Sequence, residues 1–160
     1  MKPYYYDLAN LPTLPVEFHT VPTLDQYTWM PQKDLWLAAC AFESGEFFIN
    51  FQREFPQIRC HWIMMPPHTV FDWHCDQGRS ASINWLVSDP ALSMSAFKGT
   101  ESSLQKSLHP VPYQQYRPIV FNTQYPHAVF NYSHSARHTV TISILKPTSF
   151  DSVLQYLMSL

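Results

Sequence analysis

Glycine is nearly missing from this chain, with three in 160 residues against fourteen prolines. Turns are therefore expected to rest on the fixed φ of proline rather than on positive φ. Charge is also scarce at 14% of residues, and the ten lysines and arginines form no basic run. The sequence thus lacks an electrostatic footprint for nucleic acid. Aromatic content of 16%, with a net charge of only −2, excludes a disordered polyelectrolyte. The longest apolar run, Leu35 to Phe42, falls far short of a membrane span, and Met1 to Asp7 lacks the apolar core of a secretion signal. Cys40, Cys60 and Cys75 are odd in number and include no C-x-x-C pair, which argues against a zinc ribbon or a dithiol redox motif. These absences read as a reduced, cytoplasmic protein with unpaired thiols.

What is present is mostly strand and turn. A chain of this length suits one domain with a real core. Residues 1–56 read as an N-terminal wrap, in which Pro12, Pro15 and Pro22 favour extended chain and the aromatics cover a core. Within it, Asp34 to Phe55 carries a possible helix, although Glu46 to Phe51 equally fits a strand. From Gln57 the pattern is repetitive. Strands are expected at Ile58 to Met65, Thr69 to Trp73, Ser80 to Val87, Leu92 to Phe97, Pro118 to Asn122, His127 to Asn131 and Arg137 to Lys146. The polar stretch Lys98 to Tyr116 adds one weak strand. Ser80, Ser82 and Asn84 alternate with Ala81, Ile83 and Trp85, as in a half-buried strand. Phe150 to Leu160 reads as a short amphipathic helix. About eight strands with short connections in residues 57–146 predict a mainly β sandwich or jelly roll, with residues 147–160 as the C-terminal helix.

The chemistry concentrates around His74-Cys75-Asp76. Residues two apart in a strand point the same way, so His74 and Asp76 can reach one metal ion while Cys75 points away. Two histidines and one carboxylate occupy one face of an octahedral Fe(II) and leave the other face open. His127 suits the third position. His134 and His109 are alternatives, but only His127 lies ten residues before Arg137, which heads the β-type run to Ile144. An arginine there can hold a carboxylate through two charge-assisted hydrogen bonds. His61, His68 and His138 read as structural or surface residues, and Asn122 and Asn131 as turn or supporting residues.

This order of residues resembles the 2-oxoglutarate- and Fe(II)-dependent oxygenases, whose HxD…H triad sits in a double-stranded β-helix with a basic residue about ten positions later. Arg79 followed by Ile83-Asn84-Trp85-Leu86 resembles the R…N-x-L strand in relatives of the aspartyl/asparaginyl β-hydroxylases. The resemblance spans Gln57 to Lys146. It implies Fe(II) held by His74, Asp76 and His127, with O2 and 2-oxoglutarate as co-substrates. Arg137 would then anchor the far carboxylate, Thr139 would add a hydroxyl (Thr141 more weakly), and Asn84 would meet the chelating end. Arg79 would contact a carboxylate of co-substrate or substrate, and Trp73 and Trp85 would wall the cavity. Related halogenases lack the carboxylate ligand, so Asp76 implies hydroxylation of a peptide side chain, an amino acid or a similar small polar substrate. Two other readings share these residues: a cupin-like metal enzyme that does not use 2-oxoglutarate, and a non-catalytic β-sandwich binding module. The cupin-like reading needs the histidines but not Arg137, and in the binding module His74 and Asp76 are coincidental.

Overall fold

A computed structural model describes residues 4–31, 35–40, 45–99 and 107–160. Residues 34 and 41–44 of the possible helix Asp34 to Phe55, and residues 100–106 of the polar stretch Lys98 to Tyr116, lie outside the described residues. Eight strands form the centre: β4 (Ile58–Met65), β5 (Thr69–His74), β6 (Arg79–Leu86), β7 (Ser93–Lys98), β8 (Leu108–Pro110), β9 (Pro118–Asn122), β10 (His127–Asn131) and β11 (Arg137–Leu145). They are preceded by β1 (Tyr5–Asp7), β2 (Thr28–Met30) and β3 (Leu35–Ala39). The large sheet runs β1-β9-β6-β11-β4-β3-β2, the small one β5-β10-β7-β8, and every pairing is antiparallel. From β4 onward the chain passes back and forth between the sheets, so the fold is the expected double-stranded β-helix.

The large sheet is buried on both sides, with different chemistry on each. Residues opposite one another in an antiparallel ladder share a face. Val140 pairs with Trp85 and Ile142 with Ile83, and this outer face carries the main hydrophobic core. It packs against helix α1 (Glu46–Glu54), helix α2 (Phe150–Met158) and the N-terminal wrap through Leu11, Leu14, Phe48, Phe51, Val153 and Leu157. Asn84, Thr139, Thr141 and Ser143 lie on the inner face, toward the small sheet, and are also buried. The polar and apolar alternation of β6 therefore separates a buried polar interior from the apolar core, not water from core.

Residues 46–54 resolve as helix because Phe48, Phe51 and Phe55 recur on one side, while the rings of Phe47, Phe51 and Phe55 contact one another in sequence along it. Gly45, the residue before α1, sits at φ 115, a conformation that glycine takes without a Cβ penalty. Ser149 caps α2 by accepting from the Ser152 N–H at 3.1 Å. Positive φ is not confined to glycine: His68 and Tyr116 take left-handed turns at 54° and 62°. Proline cannot supply that geometry, so in a glycine-poor chain ordinary residues bear its cost.

Candidate metal centre

Two strands and one connection bring His74, Asp76 and His127 together. His74 ends β5 and lies across the ladder from His127, the first residue of β10. Their ring centroids are 4.3 Å apart. One ligand atom from each of the three side chains lies within 4.8 Å of the others. Cis ligands about 2.1 Å from an ion lie about 3 Å apart, so a small inward movement would complete a facial set.

Both imidazoles are held in the same tautomer. His74 donates from Nδ1 to the Asp72 carbonyl at 2.6 Å, and His127 from Nδ1 to the Tyr125 carbonyl at 2.9 Å. A carbonyl can only accept, so each Nε2 is left with its lone pair. The Nε2 of His74 is buried without a hydrogen-bond partner. His127 packs against Phe97 and Phe121, and burial pushes its imidazole down to about 4. At neutral pH it is therefore an uncharged donor.

Asp76 arrives by a different route from the one the sequence implied. Strand β5 stops at His74, so strand pleat does not orient the carboxylate. The Asp76 N–H instead donates to the Thr123 carbonyl at 3.0 Å. Its Oδ2 lies 3.6 Å from His127 Nε2 and 2.6 Å from Arg79 Nε. That arginine N–H does not point along the contact, so Oδ2 forms an ion pair but keeps a lone pair for another partner. Cys75, between the two donors, is exposed.

Arg137, the first residue of β11, is also buried, at 6% exposed. Its guanidinium ties the two sheets together, donating from Nε to Ser93 Oγ at 3.0 Å and from Nη2 to Ser95 Oγ at 3.2 Å on β7. Nη1 donates to Thr139 Oγ1 at 2.7 Å, and the Tyr113 ring lies 5.5 Å away. Among the described residues no carboxylate pairs with this cation. Burial lowers its pKa and raises that of the Tyr113 phenol. A cavity of about 210 Å³ runs from Ser88 and Asp89 to Ser93, Asn131 and Arg137.

The remaining candidates divide cleanly. Thr139 orients Arg137. Thr141 donates to Asn84 Oδ1 at 2.9 Å while Asn84 donates to Ser82 Oγ at 2.9 Å, so the amide is engaged by its sheet neighbours. Arg79 sits beside Asp76 and also donates to Ser143 Oγ at 2.9 Å. Trp85 is not brought to the site: it lies on the outer face against Phe48, its indole donating to the Pro12 carbonyl at 3.2 Å. Trp73 packs edge-on to Phe130 instead of facing the cluster. His134 pairs with His68 in an exposed contact of 3.0 Å, and His109 packs at a tilt against Tyr4, so neither joins the metal group. His138 turns to Tyr27, and Asn131 holds the following turn through the Met65, Pro66 and Ser135 carbonyls. Sequence reasoning missed Ser93, Ser95 and Tyr113. The two serines share a strand face and were findable by alternation, but Tyr113 sits in an unpatterned loop and gave no signal.

No protein-family model matches the chain, and no curated protein matches it. Among solved structures it is similar to a prolyl hydroxylase from Trichoplax adhaerens in complex with a hypoxia inducible factor oxygen degradation domain peptide fragment. That match has 13% identity over 71% of this chain and 63% of the other, with a TM-score of 0.51. It is also similar to the plu4264 protein from Photorhabdus luminescens, with 15% identity over 88% of this chain and 94% of the other and a TM-score of 0.50. A prolyl-4-hydroxylase from Pseudomonas putida matches at 15% identity over 69% of this chain and 70% of the other, with a TM-score of 0.49. The chain spans under two thirds of the Trichoplax structure, and at these identities the likeness is one of fold: a double-stranded β-helix shared with a prolyl hydroxylase.

Proposed function

We propose that this chain is a single-domain 2-oxoglutarate- and Fe(II)-dependent dioxygenase of a reducing, cytoplasmic compartment. The observation that carries the reading is the pairing of two features in one barrel. Three converging donors have free lone pairs, and a buried guanidinium a few strands away lacks an anion among the described residues. The donor set, nitrogen with one carboxylate oxygen, fits Fe(II), and the orphaned Nε2 of His74 is the group such an ion would satisfy.

Bound Fe(II) would supply O2 activation, with the two further electrons coming from oxidative decarboxylation of 2-oxoglutarate to succinate and CO2. The chain's own part is positioning. His74, Asp76 and His127 would hold the ion by one face and leave the opposite face for co-substrates. Arg137 would take the far carboxylate in a fork, where its charge acts in a water-poor cavity. Ser93, Ser95 and Thr139 fix that fork in advance, so little ordering is left for binding. Tyr113 is placed to close the same end. Asn84 and Thr141 keep the inner face of the large sheet polar without offering a competing charge.

The substrate proposed is a peptide side chain, an amino acid or a similar small polar molecule, hydroxylated at a C–H bond. The neighbour solved with a bound peptide supports that class by fold alone. The test is calorimetric titration of 2-oxoglutarate into Mn(II)-loaded protein. Binding that needs the metal and is lost in Arg137→Gln supports the dioxygenase. Metal binding with no 2-oxoglutarate binding would instead favour a cupin-like enzyme of other chemistry.

A further inference from the structure

Asp76 reaches the cluster from the connection between β5 and β6, and His127 heads β10 directly after the connection from β9. Those connections are tied to each other. The Asp76 N–H donates to the Thr123 carbonyl at 3.0 Å. The Gln124 side-chain amide donates to both the Asp76 carbonyl, at 3.0 Å, and the Arg79 carbonyl, at 2.6 Å. The Thr123 hydroxyl adds a second bond to the Arg79 carbonyl at 3.1 Å. The Arg79 side chain completes the circuit, with Nε 2.6 Å from Asp76 Oδ2 and Nη1 on Ser143 Oγ of β11 at 2.9 Å. Arg79 and Asp76 side chains are only 22% and 14% exposed, so this pair is sheltered from solvent.

We infer that Arg79 is a positioning residue for Asp76, braced by Gln124, so that the carboxylate is aimed at the histidines before any ion arrives. The inference rests on reading the cluster as a metal centre. It assigns Arg79 no contact with co-substrate or substrate. Two opposed effects decide its sign. A guanidinium near the cluster repels a divalent cation, so its removal would tighten metal binding. The same removal frees the carboxylate to rotate away and be solvated, which would weaken binding. The brace is a direct contact anchored on a sheet residue, whereas the repulsion acts past an intervening carboxylate of opposite charge. The brace therefore dominates.

The experiment is Co(II) titration of the purified protein, followed in visible absorption, with thermal melting of each metal-free variant. Arg79→Met is expected to weaken Co(II) binding about 10- to 100-fold and to change the shape of the Co(II) band. Arg79→Lys should recover part of both, and Gln124→Ala should weaken binding with Arg79 intact. A purely structural role would lower the melting temperature while leaving the band of the folded protein unchanged. Arg79→Met binding Co(II) as tightly as the parent or more tightly, with the same band, overturns the inference. If Arg79→Met does not fold, Gln124→Ala decides by the same criterion. A parent protein that binds no Co(II) overturns the metal reading itself, and the brace with it.

Discussion

Across the β5–β10 ladder, His74 faces His127 with ring centroids 4.3 Å apart, and each ring is pinned by a carbonyl two residues before it. The chain thus sets two imidazoles in matching tautomers without help from a ligand. This arrangement predicts how the centre responds to acid. Burial holds His127 at about 4 in the folded protein, below the ordinary imidazole value of 6.5. Between those pH values the unfolded chain binds a proton at this position that the folded chain does not. Stability of the metal-free protein should therefore fall as pH drops from about 6.5 to about 4 and level off for this group below that. Urea unfolding across that range should show the slope, and His127→Gln should flatten it.

Arg137 leads to a second prediction, in which function and stability diverge. A buried cation without an anion carries a desolvation cost that no opposite charge offsets. Arg137→Met should leave the ligand-free protein at least as stable as the parent. It should also abolish the rise in melting temperature that 2-oxoglutarate gives the Mn(II)-loaded protein. Differential scanning calorimetry with and without the co-substrate reads both effects.

The position of Trp85 separates core from cavity. Its side chain is fully buried on the outer face of β6, against helix α1. Trp85→Ala should cost about 3–5 kcal/mol of stability by emptying that space. Trp85→Phe should cost less and leave Co(II) and 2-oxoglutarate affinities within about twofold of the parent. Denaturant curves paired with titrations test this directly; a large change in affinity with little loss of stability would place Trp85 in the site after all.

Thiol reactivity should be ordered by burial. Cys40 and Cys60 are pushed up to about 12 and about 11, chiefly by burial, while Cys75 is exposed. Reactivity follows thiolate population and access. Iodoacetamide should label Cys75 in the folded protein and reach Cys40 and Cys60 only on unfolding. Peptide mass mapping after a timed reaction gives the order.

Much of this was legible in the sequence because the relevant signals are local. Pro66-Pro67, Ser88-Asp89-Pro90 and the polar turn before Arg137 bound strands whose edges the fold reproduces closely. The interval between His127 and Arg137 also survives as geometry, since one short turn joins β10 to β11. Other features were set by distant chain. Asp76 lies past the end of its strand and takes its direction from Thr123. Trp85 fits the pattern of a cavity wall, yet its face is claimed by helices at both ends of the sequence. Helix α1 was ambiguous because Phe47, Phe48, Ile49 and Phe51 satisfy a strand period almost as well as a helical one. Tyr113 reaches Arg137 from a loop with no period at all.

The central claim is that the three donors hold a metal ion to which a 2-oxo acid can chelate. Anaerobic titration of Fe(II) and 2-oxoglutarate into the metal-free protein, read in visible absorption, tests it most directly. The account predicts a weak charge-transfer band that neither component gives alone, lost in both Asp76→Ala and Arg137→Ala. A folded protein that gives no such band with both components present would contradict it.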